Sequence, residues 1–112
     1  MSKAYELGLY EKAMPGTLTW KERPEAAKAA GYDYVEISID ATEEKIARLD
    51  MDRESRLELV KTMYETGIPI RTMCVSALTK YAIGSSDEAC CARGMAILEN
   101  HFSWQMILES VL

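Results

Sequence analysis

Three polar side chains alternate with three apolar ones over residues 35–40, which read V-E-I-S-I-D. On a β-strand, alternate side chains point to opposite faces, so Glu36, Ser38 and Asp40 share one face. Carboxylates there can transfer protons or pair with cations, and a hydroxyl can hydrogen-bond to a substrate. Two arrangements explain the pattern. In an antiparallel sheet the polar face meets water, whereas in a parallel barrel it lines the mouth where active sites lie.

This strand is one of three strand-like runs, spaced about thirty residues apart. The runs are Tyr5–Lys12, Tyr34–Asp40 and Ile68–Ser76. A helical pattern follows each run. The alternation of strand and helix predicts an α/β fold built from βαβ units with a parallel sheet.

The first helix is bounded by residues that cap helices. Thr19 and Glu22 form the T-x-x-E of a capping box ahead of an alanine-rich helix that ends near Ala30. Gly31 can adopt the left-handed conformation that stops a helix. Pro24 either kinks this helix or makes it begin later than the capping box indicates.

Later helices carry similar signals. Thr42 and Asp52 are the predicted N-caps of two helices, and Gly67 is the predicted end of the second. Three apolar residues of that second helix recur at helical spacing: Leu57, Val60 and Tyr64. Ser85 and Glu88 form a further capping box before a helix predicted over residues 89–98.

The composition is that of a globular protein. The 112 residues suffice for one small domain, with 48% hydrophobic and 28% charged residues. A net charge of −5 without a basic stripe argues against nucleic-acid binding. The sequence contains no apolar run of about 18 residues, so no membrane span is expected.

Cys74, Cys90 and Cys91 are expected to be reduced thiols of a cytoplasmic protein. The single histidine, His101, leaves too few ligands for a metal site.

Five segments, taken in order, resemble one enzyme family. They are G-L-Y-E-K-A-M-P (8–15), V-E-I-S-I-D (35–40), R-L-D (48–50), R-L-E-L-V (56–60) and E-T-G-I-P-I-R-T-M-C-V-S-A (65–77). Their order and gaps are similar to those of the L-ribulose-5-phosphate 3-epimerases, which are also described as L-xylulose-5-phosphate 3-epimerases. The similarity runs from about Tyr5 to Glu99.

The resemblance implies a xylose-isomerase-like TIM barrel, of which residues 1–99 are the N-terminal part with about three βα units. It implies an isomerase that inverts the carbon next to the ketone of a pentulose 5-phosphate during L-ascorbate degradation. Two carboxylates exchange the proton, and a divalent metal polarises the carbonyl. The family has these groups on later strands, beyond residue 112. No catalytic or metal-binding residue is therefore assigned, and the chain alone is expected to be inactive and to bind no metal.

The same resemblance places a sugar-phosphate pocket at the carboxyl ends of the strands. Five residues at the predicted strand ends are expected to line it: Glu11, Lys12, Ser38, Asp40 and Ser76. Lys12 or Lys80 is expected to face the phosphate as a point charge. For each residue the alternative is a solvated loop position or a structural hydrogen bond. Glu36 lies deeper on the same face, needs a partner, and is expected to be structural or to support the site.

The loop after the third strand departs from the family. Relatives commonly read S-A-H-R-K there, whereas this chain reads S-A-L-T-K over residues 76–80. Leu78 cannot hydrogen-bond to a substrate, and Thr79 lacks the two-pronged phosphate donor that an arginine provides. Any substrate contact that relatives make through those two side chains is not expected in this chain.

Residues 100–112 do not resemble the family and are predicted to be an aberrant tail. Back-translation with plausible codons, and one adenine added after the codon for Glu99, yields a helix end, a glycine and a strand start. A single-nucleotide frameshift is therefore one hypothesis. The other is a helix extension that buries Phe102, Met106 and Ile107.

Three functions stay open on the sequence alone. The first is a fragment of a sugar-phosphate 3-epimerase. The second is a small α/β binding or oligomeric interaction module, and the third is one piece of a split sugar-phosphate isomerase. Three strands outside a closed barrel leave sheet edges unpaired, so self-association through those edges is expected.

Overall fold

The computed structural model describes residues 3–109, with side chains described up to residue 106. The strands are β1 (Gly8–Tyr10), β2 (Tyr34–Ser38) and β3 (Ile70–Cys74). The helices are α1 (Glu22–Ala29), α2 (Glu43–Ala47), α3 (Arg53–Thr66), α4 (Ala77–Lys80) and α5 (Glu88–Glu109). Single turns of 3₁₀ helix follow β1 at Glu11–Ala13 and α2 at Arg48–Asp50.

The three strands form one parallel sheet in the order β1-β2-β3. Tyr10 pairs with Glu36, and Glu36 pairs with Thr72 on the next strand. Helices alternate with the strands, which confirms the predicted α/β fold and is consistent with βα units of a partial TIM barrel. The parallel pairing rules out an antiparallel sheet as the explanation of the alternating residues 35–40.

One face of the sheet carries the apolar core. Val35, Ile37 and Ile39 are fully buried, and the cluster around Ile37 and Ile39 includes residues from α3 and α5. On the opposite face Glu36 is only half-buried and Thr72 is exposed. The sheet therefore has an apolar face under helices and a polar face that is more open to solvent.

The capping box predicted ahead of α1 and the glycine predicted to end this helix are both confirmed. The amide of Thr19 donates to the Glu22 carboxylate at 2.9 Å, and the amide of Glu22 donates to the Thr19 hydroxyl at 3.1 Å. The helix begins at Glu22, so Pro24 lies in its first turn, where an amide donor is not needed. Of the two alternatives for Pro24, the later start is the one observed. Gly31 and Gly67 have φ values of 86° and 74°, as expected for left-handed helix ends.

Two further predicted N-caps, Thr42 and Asp52, are confirmed, and the predicted N-cap Ser85 is wrong. Thr42 and Asp52 each accept a hydrogen bond from the amide three residues on, at 3.3 and 2.8 Å. At α5, however, Asp87 is the acceptor, bonding the amides two and three residues on at 3.0 and 3.3 Å. The predicted box at Ser85 does not form, because the Ser85 hydroxyl accepts from the amide of Asp87 at 3.1 Å and α5 begins only at Glu88.

The residues that α3 buries are not the apolar residues whose spacing predicts this helix. Leu59 and Met63, four residues apart, are the buried pair. Leu57 and Tyr64 are exposed. The helical period was therefore predicted correctly, but tertiary packing chose a different set of apolar residues for the core.

Helix α5 continues past Leu98 to Glu109, as the helix-extension alternative predicts. The residue that it buries is Trp104, which is 2% exposed and belongs to the main core. Phe102 is 57% exposed and Met106 is also exposed, so the predicted burial of these two side chains is wrong. Trp104 lies seven residues after the buried Ile97, and two helical turns bring both to the same side. The side chain of Ile107 lies outside the described residues, and the frameshift stays a hypothesis about the gene.

The three cysteines are free thiols in the described structure. Between residues 3 and 109, no helix has the length and apolar character needed to cross a membrane.

Candidate functional site

Glu11 is the centre of a buried ionic cluster at the carboxyl ends of β1 and β2. It follows β1 directly and is only 3% exposed. Its carboxylate accepts hydrogen bonds from the Ser38 amide at 2.6 Å and from Lys45 Nζ at 2.5 Å. Arg48 Nη1 reaches both carboxylate oxygens, at 2.7 and 2.9 Å. Glu11 thus joins the end of β1 to the end of β2 and to the segment around α2.

The surroundings of Glu11 favour its ionised form. Burial raises the pKa of this carboxyl because it penalises the charged state. The hydrogen bonds from Arg48, Lys45 and the Ser38 amide outweigh that penalty, so the net pKa is below its ordinary value. Glu11 is therefore a carboxylate at neutral pH, with both oxygens engaged.

Lys45 and Arg48 were not predicted as site residues. Arg48 also donates to the Ser38 carbonyl at 2.9 Å, and its guanidinium lies 5.3 Å from the centre of the Trp20 ring. A signal for the pair exists in the sequence. They are three residues apart after the predicted N-cap Thr42, a spacing that puts two side chains on one side of a helix.

Lys12 and Asp40 form a second, more exposed ion pair at the same strand ends. Lys12 Nζ lies 2.9 Å from the Asp40 carboxylate. Asp40 also accepts from the hydroxyl and the amide of Thr42, at 2.6 and 2.9 Å. The Thr42 and Lys12 contacts hold the pKa of Asp40 well below its ordinary value, and the Asp40 carboxylate raises the pKa of Lys12. The two charges therefore compensate each other.

Ser38 is the last residue of β2 and is fully buried. Its hydroxyl accepts from the Tyr10 hydroxyl at 3.1 Å, while its peptide groups bond to Glu11 and Arg48. Contacts on three sides fix the end of β2 in place. Four predicted site residues thus lie at the same strand ends as two bonded pairs: a hydrogen bond joins Glu11 to Ser38, and an ion pair joins Lys12 to Asp40.

Ser76 and Lys80 lie at the end of the third strand and beyond. The Ser76 carbonyl accepts from the Thr79 hydroxyl at 2.7 Å, and the following amide, of Ala77, donates to Ile39 at 3.0 Å. Among the described residues, no hydrogen bond joins Ser76 to the other four predicted site residues. Lys80 is exposed, with Nζ 5.3 Å from the Tyr81 ring centre.

An open cavity of about 410 Å³ adjoins the buried cluster. Its lining residues are Glu11, Lys12, Met14, Gly16, Arg23, Glu44, Lys45 and Arg48. Four of these carry a positive charge and two a negative charge. The lining is therefore cationic on balance, although the chain as a whole is acidic. Arg23 is not among the predicted site residues, because in the sequence it is one of several charged residues of the predicted first helix.

Comparison with known proteins identifies relatives of the chain. The chain is 46% identical over 98 residues to proteins named L-ribulose-5-phosphate 3-epimerase UlaE from Escherichia coli O139:H28, Escherichia coli O157:H7 and Shigella boydii serotype 18. This chain is a partial homologue of the L-ribulose-5-phosphate 3-epimerases. The match covers 88% of the chain but only 34% of each relative, so the chain spans about a third of their length. No protein-family model matches the chain.

For this epimerase homologue, the resemblance drawn from five sequence segments is confirmed. The family resemblance also implies a divalent metal, and such an ion needs several oxygen or nitrogen ligands converging on one point. Within residues 3–109, no group of three or more His, Cys, Asp or Glu side chains could hold a metal ion. Glu11 and Asp40 are each bonded to cationic side chains instead. The described residues of the homologue therefore do not form a metal site.

Proposed function

We propose that this chain forms the first part of the barrel wall of a sugar-phosphate 3-epimerase that acts on L-ribulose 5-phosphate, and that it has no epimerase activity alone. Sequence identity to proteins of that name supports the reaction class. The cytoplasm and L-ascorbate degradation are the setting expected with it. The observation that carries the proposal is the parallel sheet itself, with an apolar face under helices and a polar face ending in a fixed cluster of charged groups.

In this proposal the Lys12–Asp40 pair faces the substrate. Asp40 is ionised and can accept a hydrogen bond from a sugar hydroxyl, while Lys12 offers an exposed ammonium to a phosphate. Glu11 has the different role of holding the strand ends, because its side chain is buried and bonded to Lys45 and Arg48, whereas the Asp40 side chain keeps 19% of its surface exposed. Rigid support of this kind keeps substrate-facing groups in register.

The expected lack of activity follows from the state of the two carboxylates. Epimerisation next to a ketone needs a base to remove a proton from one face and an acid to return one on the other. An effective base or acid has a pKa near the working pH. Glu11 and Asp40 both have a lowered pKa and are bonded to cations. The proton transfer, and the divalent metal that would polarise the carbonyl when bound, are therefore assigned to protein outside the described residues.

A second candidate is a small α/β interaction module. Trp104 favours it, because this residue lies in the stretch that does not resemble the family and yet is buried in the core. A split isomerase completed by another polypeptide is compatible with the same geometry. The module, as a monomer or as an oligomer, predicts a cooperative, stable fold without any role for added epimerase segments. The split enzyme and the barrel-wall proposal both predict that such segments bind.

A complementation assay tests the proposal. The chain is mixed with a polypeptide that carries the remaining two thirds of the Escherichia coli relative, and conversion of L-ribulose 5-phosphate is followed with a divalent metal present. We expect conversion in the mixture only, and a loss of at least tenfold with Asp40→Asn. The matched control is Asp50→Asn, an exposed carboxylate outside the pair, which should change the rate less than twofold. Equal rates with and without this chain would contradict the proposal.

A further inference from the structure

We propose that the cationic cavity binds a phosphoryl group and that Arg23 is its principal donor. Arg23 is 7% exposed, and its Nε–H has no hydrogen-bond partner among the described residues. Its Nη2 donates to the Gly16 carbonyl at 3.3 Å. No ion pair links Arg23 to a carboxylate in the described part of the chain. A buried guanidinium with a free donor is costly, and an anion in the cavity would remove that cost.

The lining of the cavity suits an anion. The negative charge of Glu11 is already matched by Lys45 and Arg48, so it adds little repulsion. Glu44, the other carboxylate of the lining, is exposed, so water screens its charge. Lys45 and Arg48 together carry one more charge than Glu11, and Arg23 has no carboxylate partner among the described residues, so the cavity wall keeps a surplus of positive charge.

Arg23 is also oriented for such a ligand. Its guanidinium lies 4.8 Å from the centre of the Trp20 ring, which holds the planar group in place. A fixed guanidinium can present paired N–H donors to two oxygens of one phosphoryl group. The cavity volume of about 410 Å³ exceeds that of a bare phosphate and leaves room for an attached small group.

The ligand class is thus a phosphoryl group, supplied either by free phosphate or by a small phosphate ester. The inference goes beyond the proposed function, because binding of inorganic phosphate requires no epimerase chemistry. Its failure is also distinguishable from failure of the complementation assay, which follows turnover rather than binding.

The test is a titration of the whole chain with inorganic phosphate, followed by ¹H–¹⁵N NMR of the arginine Nε–Hε groups. Arg23→Lys assigns the Arg23 signal. We expect this signal to shift on titration and the signal of Arg53, which is exposed on α3, to stay in place. Arg23→Gln should weaken phosphate binding at least tenfold in calorimetry, whereas Arg53→Gln should change it less than twofold. Glu44→Gln should strengthen binding, because it removes a negative charge from the lining.

The source of the phosphoryl group is separated by a second set of probes. L-ribulose 5-phosphate, inorganic phosphate and L-ribulose are compared in the same calorimetric experiment. Tighter binding of the ester than of phosphate identifies an ester site, and equal binding identifies a site for free phosphate; both support a phosphoryl ligand. If Arg23→Gln does not fold, the wild-type titration decides alone. An Arg23 signal that does not move with phosphate, or equal weakening by the Arg23 and Arg53 variants, overturns the inference.

Discussion

The carboxylate of Glu11 accepts a hydrogen bond from the backbone amide of Ser38 at 2.6 Å, so a side chain that follows β1 holds the end of β2. Arg48 completes the link, since it donates both to Glu11 and to the Ser38 carbonyl. The backbone N–H and C=O of Ser38, at the end of the central strand, are thus both bonded to members of one ion pair. This arrangement couples the stability of the fold to the geometry of the candidate site.

Loss of the Glu11 charge should destabilise the chain. Glu11→Gln keeps the size of the side chain but leaves Lys45 and Arg48 without their counter-charge in a largely buried setting. Breaking a buried ion pair from one side costs about 3–5 kcal/mol, and we expect the lower end because both cations retain some exposure. The free energy of unfolding from urea denaturation measures the effect. Glu44→Gln, an exposed carboxylate of the same cavity, should stay within about 0.5 kcal/mol. Similar values for the two variants would contradict the assignment.

Stability should also fall on acidification because of Glu11. Its pKa in the folded chain is lowered from an ordinary value of 4.5, so the unfolded chain binds its proton more readily. The stabilisation is fully present above pH 4.5 and is lost as the pH falls towards the folded pKa. Other carboxylates with a lowered pKa, such as Asp40, act in the same direction. The difference in unfolding free energy between wild type and Glu11→Gln, measured from pH 7 to pH 3, isolates Glu11. We expect that difference to shrink below pH 4.5; a constant difference would be the contrary result.

Trp104 should be essential to the core although it lies in the stretch unlike the family. It is 2% exposed, and removal of a large buried aromatic side chain costs about 3–5 kcal/mol. We therefore expect Trp104→Ala to lower the unfolding free energy by that amount. Phe102→Ala is the control, since Phe102 lies two residues away on the same helix and is exposed. It should cost about 0.5 kcal/mol or less. A neutral Trp104→Ala would show that this part of α5 does not pack as described.

The open sheet should promote self-association. β1 and β3 are the outer strands of the described sheet, and unpaired strand edges recruit other strands. We expect the mean mass in sedimentation velocity to rise with concentration. Thr72→Lys places a charge on the exposed face of β3 and should suppress the rise, whereas Thr79→Lys, exposed but outside the sheet, should not. A mass that stays monomeric over the full concentration range would count against this prediction.

The parallel architecture could be predicted because its signals are local. Alternating apolar residues defined β2, and the caps Thr42 and Asp52 and the stops Gly31 and Gly67 bounded the helices between strands. Each of these features depends on backbone conformation within a few residues. These caps and stops therefore form independently of how distant segments of the chain pack.

The details that were missed depend on contacts between distant segments. Nothing local to Lys45 shows that its ammonium meets Glu11, which is 34 positions away in sequence. The choice of Leu59 rather than Leu57 for the core was likewise made by the sheet beneath α3. Trp104 could have been found from its seven-residue distance to Ile97. The family resemblance ends at about Glu99, before Trp104. Residues 100–112 were therefore predicted to be an aberrant tail and not part of the core.

The most direct test of the central claim is solvent hydrogen exchange at carbon 3 of L-ribulose 5-phosphate. The isolated chain is incubated with the sugar phosphate and Mn²⁺ in D₂O, and deuterium at that carbon is measured by NMR. We expect no incorporation above the rate without protein, because the carboxylates of Glu11 and Asp40 are bonded to cations and no group of described residues could hold a metal ion. Incorporation that disappears with Asp40→Asn would contradict it.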